Sequence, residues 1–277
     1  MTDEVGPGTA LLDLAGRRTP VHELLADAWR IRSVVLLLAR REFVVRYRRA
    51  ALGSLWAIAL PLLQAVVLAI LFSRIVRLHQ PHFFVFVFAG MTAWGFFSAT
   101  LPIGATAIVD GSQLSSKVYF PRLVLPVALV AANVYVVIVN SVILLFACLV
   151  SGIGLGPRTA LLIPAVALLL ALTLTLSLLL SALHVYFRDI RYLVQAGMLL
   201  LFYLTPIFYP LQLAGHLTLI DRINPVTGVV ELIRAATIGA DPHTTSSVIG
   251  CCAWIVGTGA VALALHSRYD RLFSDLL

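Results

Sequence analysis

Charge is what this sequence has least of. Only 12% of its 277 residues are Asp, Glu, Lys or Arg, against 60% hydrophobic, and its mean hydropathy is +0.98. A soluble domain carries about 25% charged residues. Half that value, spread over long apolar runs, excludes a soluble enzyme with one anchor and indicates a single polytopic membrane domain. Lysine is nearly missing: Lys117 is the only one among 20 basic residues. It follows Ser116 outside any glycine loop, so there is no Walker A sequence and no ATP site of the P-loop kind. Cysteine is scarce, and Cys148, Cys251 and Cys252 lie in apolar runs without metal-ligand spacing. They read as small core residues. Carboxylates are missing from the middle of the apolar runs, with Asp110, Asp189, Asp221 and Glu231 placed in or beside loops. Ion-driven carriers keep a carboxylate near mid-membrane, so energy is expected from elsewhere. The lack of internal repeats removes the inverted-repeat carriers. No cleavable signal peptide is expected, because the first long apolar run starts near residue 50.

What is present is a series of apolar runs of spanning length, about 20 residues each. Six spans are expected: Ala50–Ser73, Phe83–Val109, Leu123–Val150, Thr159–Val185, Tyr192–Phe208 and Val248–His266. The second is loosened by Gly90, Gly95, Pro102 and Gly104, and the fifth is short and carries Pro206. Ahead of them, residues 1–18 read as a flexible start and residues 19–49 as an interface segment. Thr19-Pro20 opens a helix, with Val21, Leu24, Leu25, Ala28 and Ile31 on one face. That stripe is too short and too charged to span, so it suits a helix lying in the interface. The basic run Arg40–Arg49 follows. Residues 50–266 form the transmembrane domain and 267–277 a polar tail.

Six spans put both ends of the chain on one side. That side collects Arg17, Arg18, Arg30, Arg32, Arg40, Arg41, Arg46, Arg48, Arg49, Lys117, Arg122, Arg188, Arg191, Arg268 and Arg271. The other side holds Arg74, Arg77, Arg158, Arg222 and Arg234. Fifteen against five places both termini, the stretch 110–122 and the loop 186–191 in the cytoplasm. The net charge of +7 is therefore a matter of topology, and no nucleic-acid partner is implied.

Three features can carry chemistry. The first is Asp110–Leu123, DGSQLSSKVYFPRL, a polar plug between two spans with the sole lysine followed by an aromatic pair. The second is a pair of amides on apolar helices. Gln64 sits mid-span about two turns after Trp56, and Gln195, Leu199, Phe202 and Pro206 share a face of the fifth span with Tyr203 beside it. Amides and aromatic rings suit a passage for sugars; helix–helix hydrogen bonding accounts for them equally. The third is HVYFRD, His184 to Asp189, the H-x4-D spacing of some acyltransferases. A headgroup-level histidine and a loop aspartate are the simpler reading. Between spans five and six, Asn224-Pro225 opens a helix with Asn as cap. Val226, Val229, Val230, Ile233 and Thr237 form its apolar face, which makes it re-entrant or interfacial.

Four ordered segments carry a family resemblance: RREFVVRYRRAALGSLWAIALPLL (40–63), SSKVYFPRLVLP (115–126), VYFRDIRYLVQAGMLLLFYLTPIFYP (185–210) and INPVTGVVELIR (223–234). Together they resemble ABC-2-type export permeases for polysaccharides and polyol phosphates, the Wzm-like O-antigen, teichoic-acid and galactan exporters. The resemblance implies an all-α protein of six spans with an N-terminal interface helix, a cytoplasmic coupling helix and external re-entrant helices. It implies a multi-pass subunit of the bacterial cytoplasmic membrane that is not itself an enzyme and has no cofactor. A second copy would complete the channel. Two Wzt-like ATPase subunits would use ATP and Mg, and the cargo would be a glycan linked to polyprenyl diphosphate.

Residue by residue, the resemblance implies that Ser116, Lys117, Val118, Tyr119, Phe120, Pro121 and Arg122 couple to the ATPase. Tyr119, Phe120 and Pro121 would make the packed contact, Lys117 and Arg122 its charged rim, and Arg188 and Asp189 a second contact. Arg40, Arg41, Arg46 and Arg49 would receive the diphosphate headgroup, with simple anchoring to anionic lipid the alternative. Trp56, Gln64, Gln195, Leu199, Phe202, Tyr203 and Pro206 would line the path. Asn224, Pro225, Glu231 and Arg234 would form an external gate. An arginine-rich, lysine-poor composition fits a GC-rich genome, for which a cell-wall galactan precursor is a suitable cargo. A lipid or drug efflux permease of the same class is the alternative, and a membrane acyl- or glycosyltransferase using His184 and Asp189 the distant one.

Overall fold

The computed structural model describes residues 30–48, 51–74, 81–112, 121–210, 223–239 and 243–269. The helix expected from Thr19-Pro20, Arg49, Asp221, the stretch Ser115–Phe120 and the tail after residue 269 lie outside these residues. The described residues form eight α-helices: α1 (Arg32–Tyr47), α2 (Trp56–Arg74), α3 (Phe83–Asp110), α4 (Val124–Val150), α5 (Leu162–Tyr186), α6 (Ile190–Leu204), α7 (Pro225–Thr237) and α8 (Thr244–Tyr269). Short 3-10 turns at Gly53–Leu55 and Pro157–Leu161 lead into α2 and α5.

Among the described residues, five stretches are long and apolar enough to cross a membrane: Gly53–Phe72, Phe83–Asp110, Val124–Val150, Pro157–Tyr186 and Thr244–Arg268. The fifth expected span, Tyr192–Phe208, differs. Its helix ends at Leu204, and Thr205 turns extended at φ −85° and ψ 132°. Pro206 is the cause, since proline pushes the residue before it out of helical geometry. Fifteen residues of α6 rise about 22 Å, short of a hydrocarbon core of about 30 Å. Non-helical chain, residues 205–210, continues from its end.

The bundle is built on α3. Its window is 78% buried, against 11% for the α2 stretch and 17% for the α8 stretch. It packs on α5, α4, α2, α7 and α6. By sequence, Phe83, Phe84, Phe86 and Phe88 near its start suit either an interfacial belt or helix packing; Phe83, Phe86 and Phe88 are buried in the core and Phe84 is half-buried. Gly104 lets α5 come close, because a Cβ there would collide with the Ser177 side chain. By contrast α2 and α6 rest mainly on α3, with smaller contacts to α4 and α5 respectively, and each leaves a broad face open.

The N-terminal segment differs from the sequence expectation at its end. The apolar run and the basic run form one continuous helix, α1. Ile31, Val35 and Leu38 pack into a small core with Leu123, Val124 and Leu125 at the start of α4. Phe43 meets Tyr135 edge to face at 4.6 Å. Leu36, Leu37, Val44 and Val45 stay exposed on the outside, as suits a helix against lipid.

Opposite this end, α7 is buried on nearly all sides, not along one apolar face. Gly228 brings it against α8, where a Cβ would strike the backbone carbonyl of Ser247. A backbone atom cannot rotate away, so Gly228→Ala must separate the two helices. Overpacking of this kind costs about 1–3 kcal/mol. The Gly228→Ala protein in detergent is expected to melt earlier than wild type, whereas Gly154→Ala, a glycine with open space around it, is not.

Candidate functional site

The structure gathers the chemistry-bearing residues at two ends of the bundle and along two open faces. At one end, Asp110 closes α3 and pairs with Arg191 at the start of α6, 3.9 Å apart and both over half exposed. Exposed pairs contribute at most about 1 kcal/mol, so this contact locates the two loops together more than it holds them. Arg188 and Asp189 are exposed beside it. Pro121 is half-buried, and Arg122 is only 8% exposed at the start of α4. The expected position of Arg122 on a charged rim is thus corrected: its side chain is turned into the protein. Ser116, Lys117, Val118, Tyr119 and Phe120 fall between the two described flanks.

At the same end, α1, α3 and α4 enclose a cavity of about 470 Å³. Arg41, Glu42 and Arg46 enter it from α1, and Asp110 from α3. Arg40 faces outward. Arg46 is already engaged, its Nη1 donating to Asn133 Oδ1 at 2.5 Å. Asn133 is buried within α4, and its amide nitrogen donates to the Leu129 carbonyl. Of the arginines expected to receive a headgroup, Arg41 is therefore the described one that both lines the cavity and has its guanidinium uncommitted.

Along the open faces, α2 exposes Trp56, Leu60, Leu63, Gln64, Val67 and Ile70, and α6 exposes Tyr192, Gln195, Leu199 and Tyr203. Gln64 is mid-helix, so an amide stands in the centre of an apolar surface. The expected common face of the fifth span divides. Phe202 turns inward, 5.4 Å from Trp94 and 5.9 Å from Phe208 between ring centroids. Pro206 is buried beyond the helix end. Both serve packing at the point where α3, α6 and the 205–210 segment meet. Phe72 of α2 joins the same aromatic group, 4.9 Å from Phe208.

At the other end, α7 forms as the sequence predicts. Asn224 caps it, accepting from Val226 N at 3.0 Å, and Pro225 occupies the first turn. The Asn224 amide nitrogen also donates to Thr205 Oγ1 at 2.8 Å. Glu231 does not lie in or beside a loop: it is on α7 and 3% exposed. Arg234 Nη1 donates to Glu231 Oε1 at 2.7 Å, and its Nη2 donates to the Ile207 carbonyl at 2.9 Å. The guanidinium carbon lies 3.5 Å from the centre of the Phe86 ring. Buried charges survive when paired and hydrogen-bonded, and an aromatic face adds cation–π attraction. Arg234 meets all three conditions.

His184 is 4% exposed near the end of α5, and its Nδ1 is buried without a hydrogen-bond partner, whereas Asp189 is exposed. A general base needs reach to its substrate and an orienting partner; buried His184, with no partner at Nδ1, and exposed Asp189 are not arranged as such a pair in this structure. Among the described residues, no group of three His, Cys, Asp or Glu is placed to hold a metal.

Three partners escape sequence reading. Phe86 under Arg234 and Thr205 beside Asn224 join segments far apart in the chain and leave no local signal. Asn133 does leave one: Asn133 and Asn140 are seven residues apart on an apolar helix, which marks a face in need of partners.

The similar proteins of known name are export permeases. The chain is 34% identical over 219 residues to the O-antigen export system permease protein RfbA of Myxococcus xanthus, covering 76% of this chain and 83% of that one. It is 25% and 28% identical over 253 residues to two Klebsiella pneumoniae proteins of the same name, in each case over 88% of this chain and 95% of the other. Residues 33–238 match the ABC-2 type transporter family, a range that runs from the start of α1 to the end of α7. With most of its length and all but the last of its apolar helices inside that match, the chain is a multi-pass membrane protein that belongs to the ABC-2 type transporter family.

Proposed function

We propose that this chain is the membrane subunit of an ATP-driven exporter that moves a polysaccharide out across the bacterial cytoplasmic membrane. It pairs with a second copy of itself and with two copies of a separate ABC ATPase. The names of its relatives support the cargo class, and polyprenyl diphosphate is the carrier proposed for it. The observation that carries the reading is the one-sided packing of α2 and α6, with Gln64 and Gln195 on their open faces. An amide in hydrocarbon is costly unless something satisfies it. Those faces therefore look onto a second copy or a wet path between copies. Both termini are proposed to be cytoplasmic, from the distribution of basic residues. The diphosphate is received at the cavity that Arg41 lines, where a cation faces an opening at headgroup depth.

Coupling is assigned to Ser116–Pro121, which lies in the chain between the end of α3 at Asp110–Ser112 and the inward-turned Arg122 at the start of α4. Tyr119→Ala with Phe120→Ala is expected to cut export at least tenfold and to lose the ATPase on affinity purification, with the permease still present in the membrane. Normal export together with normal ATPase recovery refutes the coupling assignment. Deleting the gene identifies the cargo, because the lipid-linked glycan that accumulates in the cytoplasmic leaflet can be isolated and sequenced.

A further inference from the structure

Between α6 and the rest of the bundle lies a second cavity, of about 370 Å³. Its α6 wall is Val194, Gly197, Met198, Leu201 and Leu204, one continuous helical face. Phenylalanine and leucine side chains of α3 and α5 form the opposite wall, and Asn224 and Trp254 close it at the α7 end. These two are the polar side chains of the lining, and both are occupied. Asn224 is held by Val226 and Thr205, and Trp254 Nε1 donates to the Ile223 carbonyl at 2.7 Å. Among the described residues, no polar side chain of the wall is left to recognise a polar ligand, so its occupant is hydrocarbon.

The shape narrows the occupant. From Val194 to Leu204 the α6 wall runs ten residues, about 15 Å at the helical rise. That is half of the roughly 30 Å hydrocarbon core, the depth of one leaflet. Gly197 lies in this wall, and a Cβ there would meet nothing within 4 Å, so the space reaches the backbone of α6. An apolar void of this size forfeits dispersion contacts along its whole lining, and such cavities stay dry and take up apolar molecules. We propose that this cavity holds one acyl chain of a bilayer phospholipid, laid along α6 over one leaflet. The chain supplies packing on the α6 flank that α3 does not cover.

The test uses the full-length protein in nanodiscs of phosphatidylethanolamine and phosphatidylglycerol doped with a phosphatidylcholine carrying a mid-chain diazirine. After illumination, adducts in the wild type are expected on the peptide 190–204 as well as on the exposed α8 face at Ile249 and Val256. Gly197→Leu places bulk in the cavity, its Cβ meeting nothing within 4 Å, and favours helix. It is expected to lower the α6 adducts at least fivefold and leave those on α8 unchanged, while Gly197→Ala retains both. A wild type labelled on α8 but not on α6 overturns the site with no variant needed. Gly197→Leu with undiminished α6 labelling also overturns it. Displacement of the α6 adducts by equimolar polyprenyl phosphate, with α8 unaffected, assigns the cavity to an isoprenoid and overturns the phospholipid.

Discussion

Arg234→Ala is expected to cost about 3–5 kcal/mol of stability, the range for breaking a buried ion pair by removing one partner. The cost is not the lost attraction alone. Glu231 is left 3% exposed with its cationic partner gone, and the Ile207 carbonyl loses the donor at 2.9 Å. Glu231→Ala is expected to be as damaging, since it strands the guanidinium. The double variant Glu231→Met, Arg234→Met separates the two causes. Replacing a whole buried pair by apolar side chains of similar volume is often neutral or stabilising, so it should recover much of the loss. The measurement is the melting midpoint of the detergent-purified protein, with membrane abundance beside it. A single variant that melts within a degree of wild type would refute the structural role, as would a double variant no better than the worse single one.

The pair matters for its position as much as for its strength. Two ties run from α7 to the segment after α6: Asn224 to Thr205 near the start of α7, and Arg234 to the Ile207 carbonyl near its end. Ile207 is in turn pressed on Gly90 of α3, where a Cβ would sit 3.1 Å from it. The C-terminal end of α6 is thereby fixed to the central helix, while the body of α6 has an open face on one flank and a cavity on another. A helix held at one end and loosely packed along its length is a mobile element, on the same grounds that low contact density marks the segments that open first. The position of the end of α6 thus depends on α7.

How far the sequence could be read follows from which forces act locally. Spanning helices are legible because hydropathy over about 20 residues is a local sum, and the second span, Phe83–Val109, differs from α3 by one residue. The cap at Asn224 and the turn at Pro225 are legible for the same reason. The end of α6 was not, although Pro206 was in view, because apolar residues on both sides of the break hide it from a hydropathy window. Glu231 reads as in or beside a loop because it falls between the fifth and sixth apolar runs. Its cation was three residues along the same helix, but nothing local says that this pair is buried and not solvated. The phenylalanines of α3 show the converse: composition allowed a belt or a core, and only the neighbours of α3 decide. The face assigned to Gln195, Leu199, Phe202 and Pro206 failed at Phe202, because a path-lining aromatic and a packing aromatic look alike in sequence.

The larger functional effect is expected from filling the two open faces. Gln64→Trp combined with Gln195→Trp should lower glycan export by roughly tenfold or more, a rise of about 1.4 kcal/mol in the barrier. Both residues are exposed, so the indoles replace no core atom and the protein should melt as wild type does. ATPase recovered with the complex should be unchanged, which distinguishes a blocked path from lost coupling. The two meanings of an exposed amide predict opposite results here. If these faces met only lipid, exchanging a buried-in-hydrocarbon amide for a large apolar ring would be harmless or favourable, and export would be preserved. If they face a path between two copies, the added volume stands where the sugar must pass. Gln64→Leu with Gln195→Leu is the companion: it removes the amides without adding the bulk. Export lost in the tryptophan pair but kept in the leucine pair identifies a steric path. Loss in both shows that the amides themselves handle the sugar hydroxyls, and retention in both removes α2 and α6 from the path.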